Sequence, residues 1–455
     1  MTKFNKKLIL YIVGMLLVFN GGAMLISSLV SLIVDDGAVR EITLSATIVI
    51  ISGLFLMSFF KNNSRKINKR DGYLIVTIGW LTMVFSGMVP YYLTDSITYF
   101  PNLLFETMSG YTTTGSTILN DVEALPKSII FWRSMTHWLG GMGIIVLAIA
   151  ILPLLGIGGM QLFSAEAPGT GISSDKIHPR ISDTAKRLWM IYVGLTIAET
   201  ILLNFAGMSF FDAINNSMSN IASGGFSSKN ESIGYWNNMP FVQYIIIIFM
   251  FLAGTNFILI YFGLTGKIKK IIQNTEFKWY VSFISVFTII VTTVLFISVD
   301  LITMFFFGIM FLGGSSGSTS GGVKILRHLI LIKNGILEFK RSLHPNAIIP
   351  LRHNNSVVEK PIVIHVLAFF ILYLILFIIG AGVLSLLGLD FISAIGGAAS
   401  SIGNVGPALG TLGPLSNFDS LPVLAKYWCS FLMLVGRLEL FTVLILFTPF
   451  FWKDH

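Results

Sequence analysis

The sequence predicts an all-α polytopic membrane protein. We expect two N-terminal helices followed by four pseudo-repeated units of helix, re-entrant loop and helix, with the loop of the third unit missing. The 455 residues are 54% hydrophobic and only 11% charged, against about 25% charged in soluble domains. Two further observations predict this fold class. The chain contains apolar stretches of membrane-spanning length, and one sequence pattern occurs three times.

The apolar stretches account for the long helices. Each is near the roughly 20 residues that a membrane helix needs, and they fall at 8–34, 42–60, 73–93, 129–155, 187–207, 240–265, 278–298, 301–325, 361–388 and 424–450. Basic residues concentrate in 61–70, 266–272 and 324–360, whereas the opposite loops "DDGAVRE" and "NDVEALP" are poor in them. Because basic loops stay in the cytoplasm, both termini are predicted to be cytoplasmic. The apolar run after the basic start is too long for a signal peptide, so we expect a retained first helix.

Several function classes are excluded or lack support. The net charge of +8 follows from the basic loops of a membrane protein, so nucleic acid is a poor candidate for a partner. Cys429 is the one cysteine, which rules out an intramolecular disulfide framework. The seven histidines form no HExxH spacing, and no G-x-x-x-x-G-K-[ST] phosphate loop occurs. An intramembrane enzyme therefore has little support.

Three segments too short to span the membrane share one pattern. Aligning Gly115, Gly225 and Gly406 places Phe100, Phe210 and Phe391 in one column. Further columns contain Leu104, Ile214 and Ile395, then Met108, Met218 and Ala399, and then Ser109, Ser219 and Ser400. Each segment is predicted to form a half-length helix followed by an extended, Gly-bearing stretch.

This pattern is typical of a cation pathway. A half-helix that stops inside the membrane points its negative C-terminal end at the membrane centre. The stretches "TTGS", "SGGF" and "NVGP" allow the backbone angles with which carbonyl groups can replace the hydration shell of potassium. The alternative is that small, Gly-rich loops only let helices pack closely.

The second long helix of each unit carries a Gly about halfway along, in "HWLGGMG", "MFLAGTN", "MFLGGSS" and "MLVGRLE". The third unit differs, because the next crossing begins directly after Val299 and Asp300, and the run 283–298 contains no Thr/Gly loop segment. We therefore infer that one re-entrant loop is deleted. The same unit contains "GGSSGSTSGG", which needs surrounding protein or a water-filled cavity at membrane depth.

Longer motifs resemble those of a known family. "TTTGST", "SNIASGGFSS", "GGSSGSTSGGVK", "LHPNA", "NVGPALG" and "GRLELFTVLILFTPFFW" are similar to the Trk/Ktr/HKT superfamily of potassium transporters, closest to its TrkH/TrkG potassium-uptake membrane subunits. The resemblance covers nearly the whole chain. It implies a potassium-channel-like pore of four pseudo-repeats, potassium uptake across the bacterial cytoplasmic (inner) membrane, and no enzymatic activity.

The resemblance also implies residue roles. The potassium filter would be lined by Thr113, Thr114, Gly115, Ser223, Gly224, Gly225, Asn404, Val405 and Gly406. An intramembrane gate would be formed by Gly313, Gly314, Ser315, Ser316, Gly317, Ser318, Thr319, Ser320, Gly321 and Gly322, together with Arg437. For Arg437, a structural salt bridge is the alternative to a gating role.

The expected organisation follows from these motifs. The two extra helices occupy 1–71, and the units occupy 72–160, 161–270, 271–345 and 346–455, with filter segments at 113–116, 223–226 and 404–407 and the gate at 313–322. The resemblance implies a homodimer and a cytosolic TrkA-like subunit that binds NAD or ATP, with K⁺ as the transported ion and no cofactor on this chain. Because the third filter strand is missing, a non-conducting or selectivity-impaired protein is the alternative.

Other charged and polar residues give weaker expectations. Glu106 and Asp212 stand near the outer mouth, where they would attract cations or act in capping and packing. Lys324 is expected to be an anchor at the inner interface. His137 is expected to bond between helices, while Glu199 and Glu439 have no evident partner in the sequence.

Overall fold

The computed structural model describes residues 4–60, 68–141, 143, 181–294, 299–354 and 356–453. The described chain is mostly helical, with one two-stranded antiparallel hairpin of β1 (Arg352–His353) and β2 (Ser356–Val357). The helices are α1 (Lys6–Val34), α2 (Val39–Phe59), α3 (Lys69–Gly87), α4 (Val89–Leu93), α5 (Phe100–Tyr111), α6 (Lys127–Gly141), α7 (Ile181–Phe205), α8 (Phe210–Ile221), α9 (Pro240–Ala253), α10 (Phe257–Leu264), α11 (Ile268–Gln273), α12 (Thr275–Val294), α13 (Val299–Ile309), α14 (Ile325–Leu343), α15 (Lys360–Leu386), α16 (Phe391–Gly403), α17 (Val423–Arg437), α18 (Phe441–Leu444) and α19 (Pro449–Trp452).

Among the described residues, six helices are long and apolar enough to cross a membrane, or up to eight if two bent pairs are each one span. The crossings expected at 240–265 and 424–450 are not single straight helices. The chain bends by 108° between α9 and α10 and by 111° after α17, in both cases next to the glycine noted in the sequence. The crossing expected at 301–325 begins as α13 but is not helical from residue 310 to residue 324. The second half of the crossing expected at 129–155 lies outside the described residues.

The half-length helices begin at the residues that the sequence alignment placed in one column. Helices α5, α8 and α16 start at Phe100, Phe210 and Phe391 and contain 12, 12 and 13 residues. At 1.5 Å per residue they are about 18–20 Å long, which is short of the roughly 30 Å hydrocarbon layer. The side chains of Ser209 and Asp390 cap α8 and α16 by accepting bonds from backbone N–H groups in the first turn.

The third unit leaves little chain for a re-entrant loop. Helix α12 ends at Val294 and α13 begins at Val299, so only four residues separate them. A half-helix alone takes 12 residues in the first two units. The chain between α12 and α13 is therefore too short to contain a half-helix and an extended stretch.

The main hydrophobic core is formed mostly by helices of the first and fourth units. Trp80, Tyr91, Tyr111 and Trp132 are fully buried there, between α3 to α6 and the α16 and α17 pair. The hydroxyl of Tyr111 donates to Asn20 on α1 at 2.7 Å, which ties the first N-terminal helix to the end of α5. This packing fixes the end of the half-helix from which the first extended loop emerges.

Candidate functional site

The loops that follow the three half-helices have the same backbone conformation. Thr113, Ser223 and Asn404 occupy the left-handed region, with φ values of 53°, 55° and 51°. Two residues further on, Gly115, Gly225 and Gly406 have φ values of 87°, 94° and 106°. Left-handed non-glycine residues are uncommon, and a repeated strained conformation of this kind is typical of functional sites.

The same hydrogen bond closes each loop onto its own half-helix. The backbone N–H donors belong to Thr114, Gly224 and Val405, and the acceptors are the carbonyls of Ser109, Ser219 and Ser400 at 2.9, 2.9 and 3.0 Å. These serines are the last column of the sequence alignment. The sequence pattern therefore corresponds to a repeated three-dimensional structure in these three segments.

The three loops lie against one another. The hydroxyl of Ser116 donates to the carbonyl of Gly406 at 2.7 Å, and the amide of Asn404 donates to the hydroxyl of Thr114 at 3.0 Å. A Cβ atom on Gly115 would lie 2.1 Å from the carbonyl oxygen of Gly224. The structure thus brings the nine residues expected to line a filter into one cluster, with the first loop between the second and the fourth.

The fourth side of this cluster is a cavity of about 650 Å³. Its lining includes Ser223, Gly224 and Gly225 of the second loop, Val405 of the fourth, and the face of α12 that carries Phe283 and Phe287. It lies between the loops and the helix of the unit that has no room for a loop of its own.

A buried ion pair supports the first two loops. Glu106 on α5 and Arg133 on α6 are 0% and 3% exposed, and the distance between Glu106 Oε1 and Arg133 Nε is 2.7 Å. The Glu106 carboxylate also accepts bonds from the hydroxyl of Thr117 and the backbone N–H of Ile118. Arg133 lies over the ring of Phe226, 3.5 Å from its centroid. Glu106 therefore packs behind the loops, and the expectation that it attracts cations at the mouth is wrong.

The second loop has further polar contacts behind it. The ring of His137 stacks on Phe226, with 3.9 Å between centroids, and Nδ1 bonds to Ser219 at 2.9 Å, which is the expected bond between helices. Glu199 on α7 accepts a bond from Asn220 of α8 at 2.5 Å. Asp212 accepts from the hydroxyls of Ser209 and Ser228, in keeping with a capping role.

The Gly-rich run lies directly beside the second loop. The hydroxyl of Thr319 is 2.9 Å from that of Ser223, and it donates to the carbonyls of Ile221 and Ala253 at 3.0 and 3.2 Å. The backbone N–H of Ser315 donates to the carbonyl of Gly254 at 2.9 Å. The run therefore packs into the bend between α9 and α10.

Arg437 holds the run from the other side. Its Nη1 donates to the carbonyl of Thr319 at 2.9 Å, and its Nη2 donates to the carbonyls of Gly140 and Gly141 at 2.6 and 3.1 Å. Both glycines belong to α6. The cation thus binds backbone carbonyls of α6 and of the Gly-rich run.

Two more charged side chains hold the run. The carboxylate of Glu276, which is 3% exposed, accepts bonds from the backbone N–H and the hydroxyl of Ser316 at 2.5 and 2.9 Å. Lys324 Nζ donates to the carbonyls of Ser318 and Ser320, so it contacts the run and is not a simple interface anchor. Sequence reasoning missed Glu276, although its position in the first turn of a membrane helix is a usable signal.

Glu439 also has a partner that the sequence did not indicate. It forms an ion pair with Arg327 on α14, and both side chains are largely buried. Arg327 in turn lies over the ring of Phe369, 3.8 Å from the centroid. The pair joins the helix that follows the run to the bend after α17.

The segments that contain Glu123 and Lys229 are joined by charges. Lys229 Nζ lies 2.9 Å from Glu123 Oε2, and the amide of Asn230 donates to Asp121 at 2.8 Å. The hydrogen bond to Glu123 raises the pKa of Lys229, and the bond from Asn230 lowers the pKa of Asp121.

Comparison with known proteins decides the family. A family profile described as "TrkH: Cation transport protein" matches residues 39–306 and 298–454. The chain belongs to the Trk potassium transporter family. It is 38% identical to "Trk system potassium uptake protein TrkH" of Escherichia coli K12, over 97% of this chain and 98% of that protein. It is 34% identical to TrkG of the same organism, over 87% and 88%.

A solved structure of a Trk protein has the same fold. The crystal structure of the potassium transporter TrkH from Vibrio parahaemolyticus matches with a TM-score of 0.86 and 32% identity, over 98% of this chain and 99% of that chain. The resemblance seen in the sequence and the expectation of a membrane transporter rather than an enzyme are therefore confirmed.

The matches with Trk proteins also bear on the third unit. The two stretches matched by the family profile meet at residues 298–306, where α13 begins. The alignment with E. coli TrkH extends over 483 positions, more than the 455 residues of this chain. Part of that relative therefore has no counterpart here.

Proposed function

We propose that this chain is the ion-translocating subunit of a Trk-type potassium uptake system. Relatives covering nearly its whole length are named potassium uptake proteins. The observation that carries the proposal is the cluster of three loops with identical left-handed positions, each at the end of a half-helix. Half-helices direct their negative ends at the cluster, so it favours a desolvated cation over an anion.

In this proposal the backbone carbonyls of the loops replace the water around K⁺. The strand of the first unit consists of Thr113, Thr114 and Gly115, that of the second unit of Ser223, Gly224 and Gly225, and that of the fourth unit of Asn404, Val405 and Gly406. The support for a rigid filter is the hydrogen bonding between strands and the ion pair of Glu106 and Arg133 behind them. A rigid ring of carbonyls discriminates between ions better than a loose one, because its geometry does not adapt to each ion.

The run 313–322 is the gate in this proposal. It lies next to Ser223 of the filter and is held by Arg437, Glu276 and Lys324 through hydrogen bonds to polar groups of the run. Small residues let the run move aside without large packing changes. Opening then requires the loss of the Arg437 bond to Thr319 and of the Glu276 bonds to Ser316.

The repeat boundaries, orientation and assembly complete the proposal. The units are 72–160, 161–270, 271–345 and 346–455 after the two helices of 1–71, with both termini in the cytoplasm of a bacterial inner-membrane protein. Basic inner loops, of which the described part includes Lys340 and Arg341, provide a surface for a cytosolic nucleotide-binding subunit. We further propose a homodimer of this chain.

A second candidate is a transporter with impaired potassium selectivity. The cavity of about 650 Å³ on the fourth side of the filter favours it, because a fourth strand would otherwise surround the ion there. With three strands of four, an ion loses about a quarter of its carbonyl ligands. Sodium, which retains water more strongly, is then excluded less well.

Growth of a bacterial strain that lacks its own potassium uptake systems tests the proposal. The chain is expected to restore growth at low potassium and to drive rubidium uptake. A matched chain with the third loop of a Trk relative inserted between Val294 and Val299 serves as the comparison. If only the chain with the inserted loop restores uptake, the selectivity-impaired or non-conducting candidate replaces the first. Failure of both, at normal membrane expression, contradicts the proposed function.

A further inference from the structure

The cavity beside the filter has an apolar wall that no described part of the chain covers. Tyr280, Phe283, Phe287 and Val291 of α12 recur at helical spacing and line it. In a complete unit this face would pack against a re-entrant loop. Here only four residues join α12 to α13, too few for a re-entrant loop that would cover this face.

The cavity is continuous with the membrane-facing surface. Met250 of α9 and Ile284 of α12 both line it, and they are 53% and 40% exposed. Both belong to apolar helices of the membrane-spanning set. Tyr280 stacks on Phe251, with 5.3 Å between ring centroids, and its hydroxyl donates to the Phe251 carbonyl, which joins the two helices at one end of the cavity. Between Met250 and Ile284 the cavity is accessible from the side.

Four of the polar side chains that line the cavity already have protein partners. Ser219 bonds to His137, Ser223 to Thr319, and Asn220 to Glu199. The amide of Asn216 donates to the carbonyl of Asp212. No charged side chain is among the described residues that line the cavity. An apolar occupant therefore leaves few of these side chains without hydrogen bonds.

We infer that an acyl chain of a bilayer lipid occupies this cavity and replaces the missing re-entrant loop as the fourth wall beside the filter. A cavity of about 650 Å³ with aromatic and aliphatic walls has the size and character of a binding site for a flexible apolar ligand. The lateral opening lets the lipid enter while its headgroup stays at the membrane surface. An acyl chain in this space makes the van der Waals contacts that the apolar wall otherwise lacks.

Photochemical labelling of the unmodified chain tests this inference. The protein is reconstituted with a phosphatidylcholine that carries a diazirine near the end of one acyl chain, irradiated and mapped by mass spectrometry. Phe226 and Ile246 line the cavity but are only 3% exposed, so lipids on the outer surface do not reach them. Adducts are expected on Phe226 and Ile246, as well as on the outward-facing Ile248, which is 56% exposed.

A pair of matched variants separates the cavity from the outer surface. Thr288→Trp places an indole in the cavity, whereas Ile289→Trp places it on the outward face of the same helix. Thr288→Trp is expected to reduce the adducts on Phe226 and Ile246 severalfold without affecting those on Ile248, and Ile289→Trp is expected to change neither. Val291→Trp fills the same space if Thr288→Trp does not fold.

Two results would overturn the inference. Labelling of Ile248 without any adduct on Phe226 or Ile246 in the unmodified chain would mean that the cavity contains water. Equal adduct yields in the unmodified chain and both cavity-filling variants would mean that the label reaches these residues by another route. Neither readout depends on ion transport, so each outcome is independent of the proposed function.

Discussion

The guanidinium of Arg437 bonds to the carbonyl of Thr319 at 2.9 Å, and through Thr319 it is linked to Ser223, a residue of the proposed filter. The same side chain bonds to the carbonyls of Gly140 and Gly141 in α6. One cation therefore joins α17, α6 and the Gly-rich run. In the proposed function, this position lets a single side chain hold the run beside the filter.

Replacing Arg437 is expected to release the run. Hydrogen bonds to charged groups contribute about 1.5–3 kcal/mol, so Arg437→Ala should raise rubidium leak by about tenfold or more in vesicles without a regulatory subunit. Arg437→Lys should give an intermediate leak, because an ammonium lacks the planar fork that reaches two carbonyl groups at once. Arg40→Ala removes an exposed arginine and serves as the control. An unchanged leak in Arg437→Ala would exclude a role in closing the pore.

The contact between Glu276 and Ser316 should also hold the run 313–322 in place. Glu276→Gln and Ser316→Ala are each expected to lower the unfolding temperature in detergent, because a buried charge-assisted bond is lost. The double variant should lose less than the sum of the two, with a coupling of about 0.5–3 kcal/mol. Fully additive shifts would show that the two side chains do not act on each other.

Gly115 is expected to tolerate no side chain. Its φ is 87°, and a Cβ atom would lie 2.1 Å from the carbonyl of Gly224. Gly115→Ala should therefore abolish rubidium uptake while leaving membrane insertion intact. Gly194→Ala is the matched control, since nothing lies within 4 Å of a Cβ atom there and the position is helical. Normal uptake by Gly115→Ala would rule out the proposed filter.

The half-helices were predictable from the sequence because their determinants are local. Phe100, Phe210 and Phe391 begin them as expected, and the glycines mark the left-handed positions that follow. The ion pair of Glu106 with Arg133 and that of Arg327 with Glu439 were not predictable. Their partners are far apart in the chain and meet only through helix packing. Likewise, Gly254 indicated where a helix weakens but not that it bends by 108°.

The contact between Lys229 and Glu123 should depend on pH in a defined direction. Because the pKa of Lys229 is raised above its ordinary 10.5, the contact stabilises the fold below that pH and is lost as the pH rises through the raised pKa. Lys229→Met should lower the unfolding temperature at pH 7 by an amount corresponding to about 0.5 kcal/mol, as for other exposed pairs. Well above the raised pKa of Lys229, the variant and the unmodified chain should converge in stability. A difference that persists there would indicate that the lysine stem, not its charge, makes the contribution.

The buried pair of Glu106 and Arg133 is expected to be the most sensitive to substitution. Arg133→Met leaves the carboxylate of Glu106 buried beside Thr117 without its cation, which typically costs about 3–5 kcal/mol. Thermal unfolding in detergent should show a large loss, and Glu106→Gln combined with Arg133→Met should recover part of it. If the double variant is less stable than Arg133→Met, the stabilisation does not come from the charge pair.

Potassium flux into liposomes that contain the purified chain tests the central claim most directly. The liposomes have no imposed membrane potential, and only a potassium concentration gradient is applied. Under these conditions the unmodified chain and Gly194→Ala should carry potassium at similar rates. Gly115→Ala should carry none above empty liposomes. Equal flux through the unmodified chain and Gly115→Ala, or no flux through either at verified incorporation, would contradict the account of a potassium pathway through these three loops.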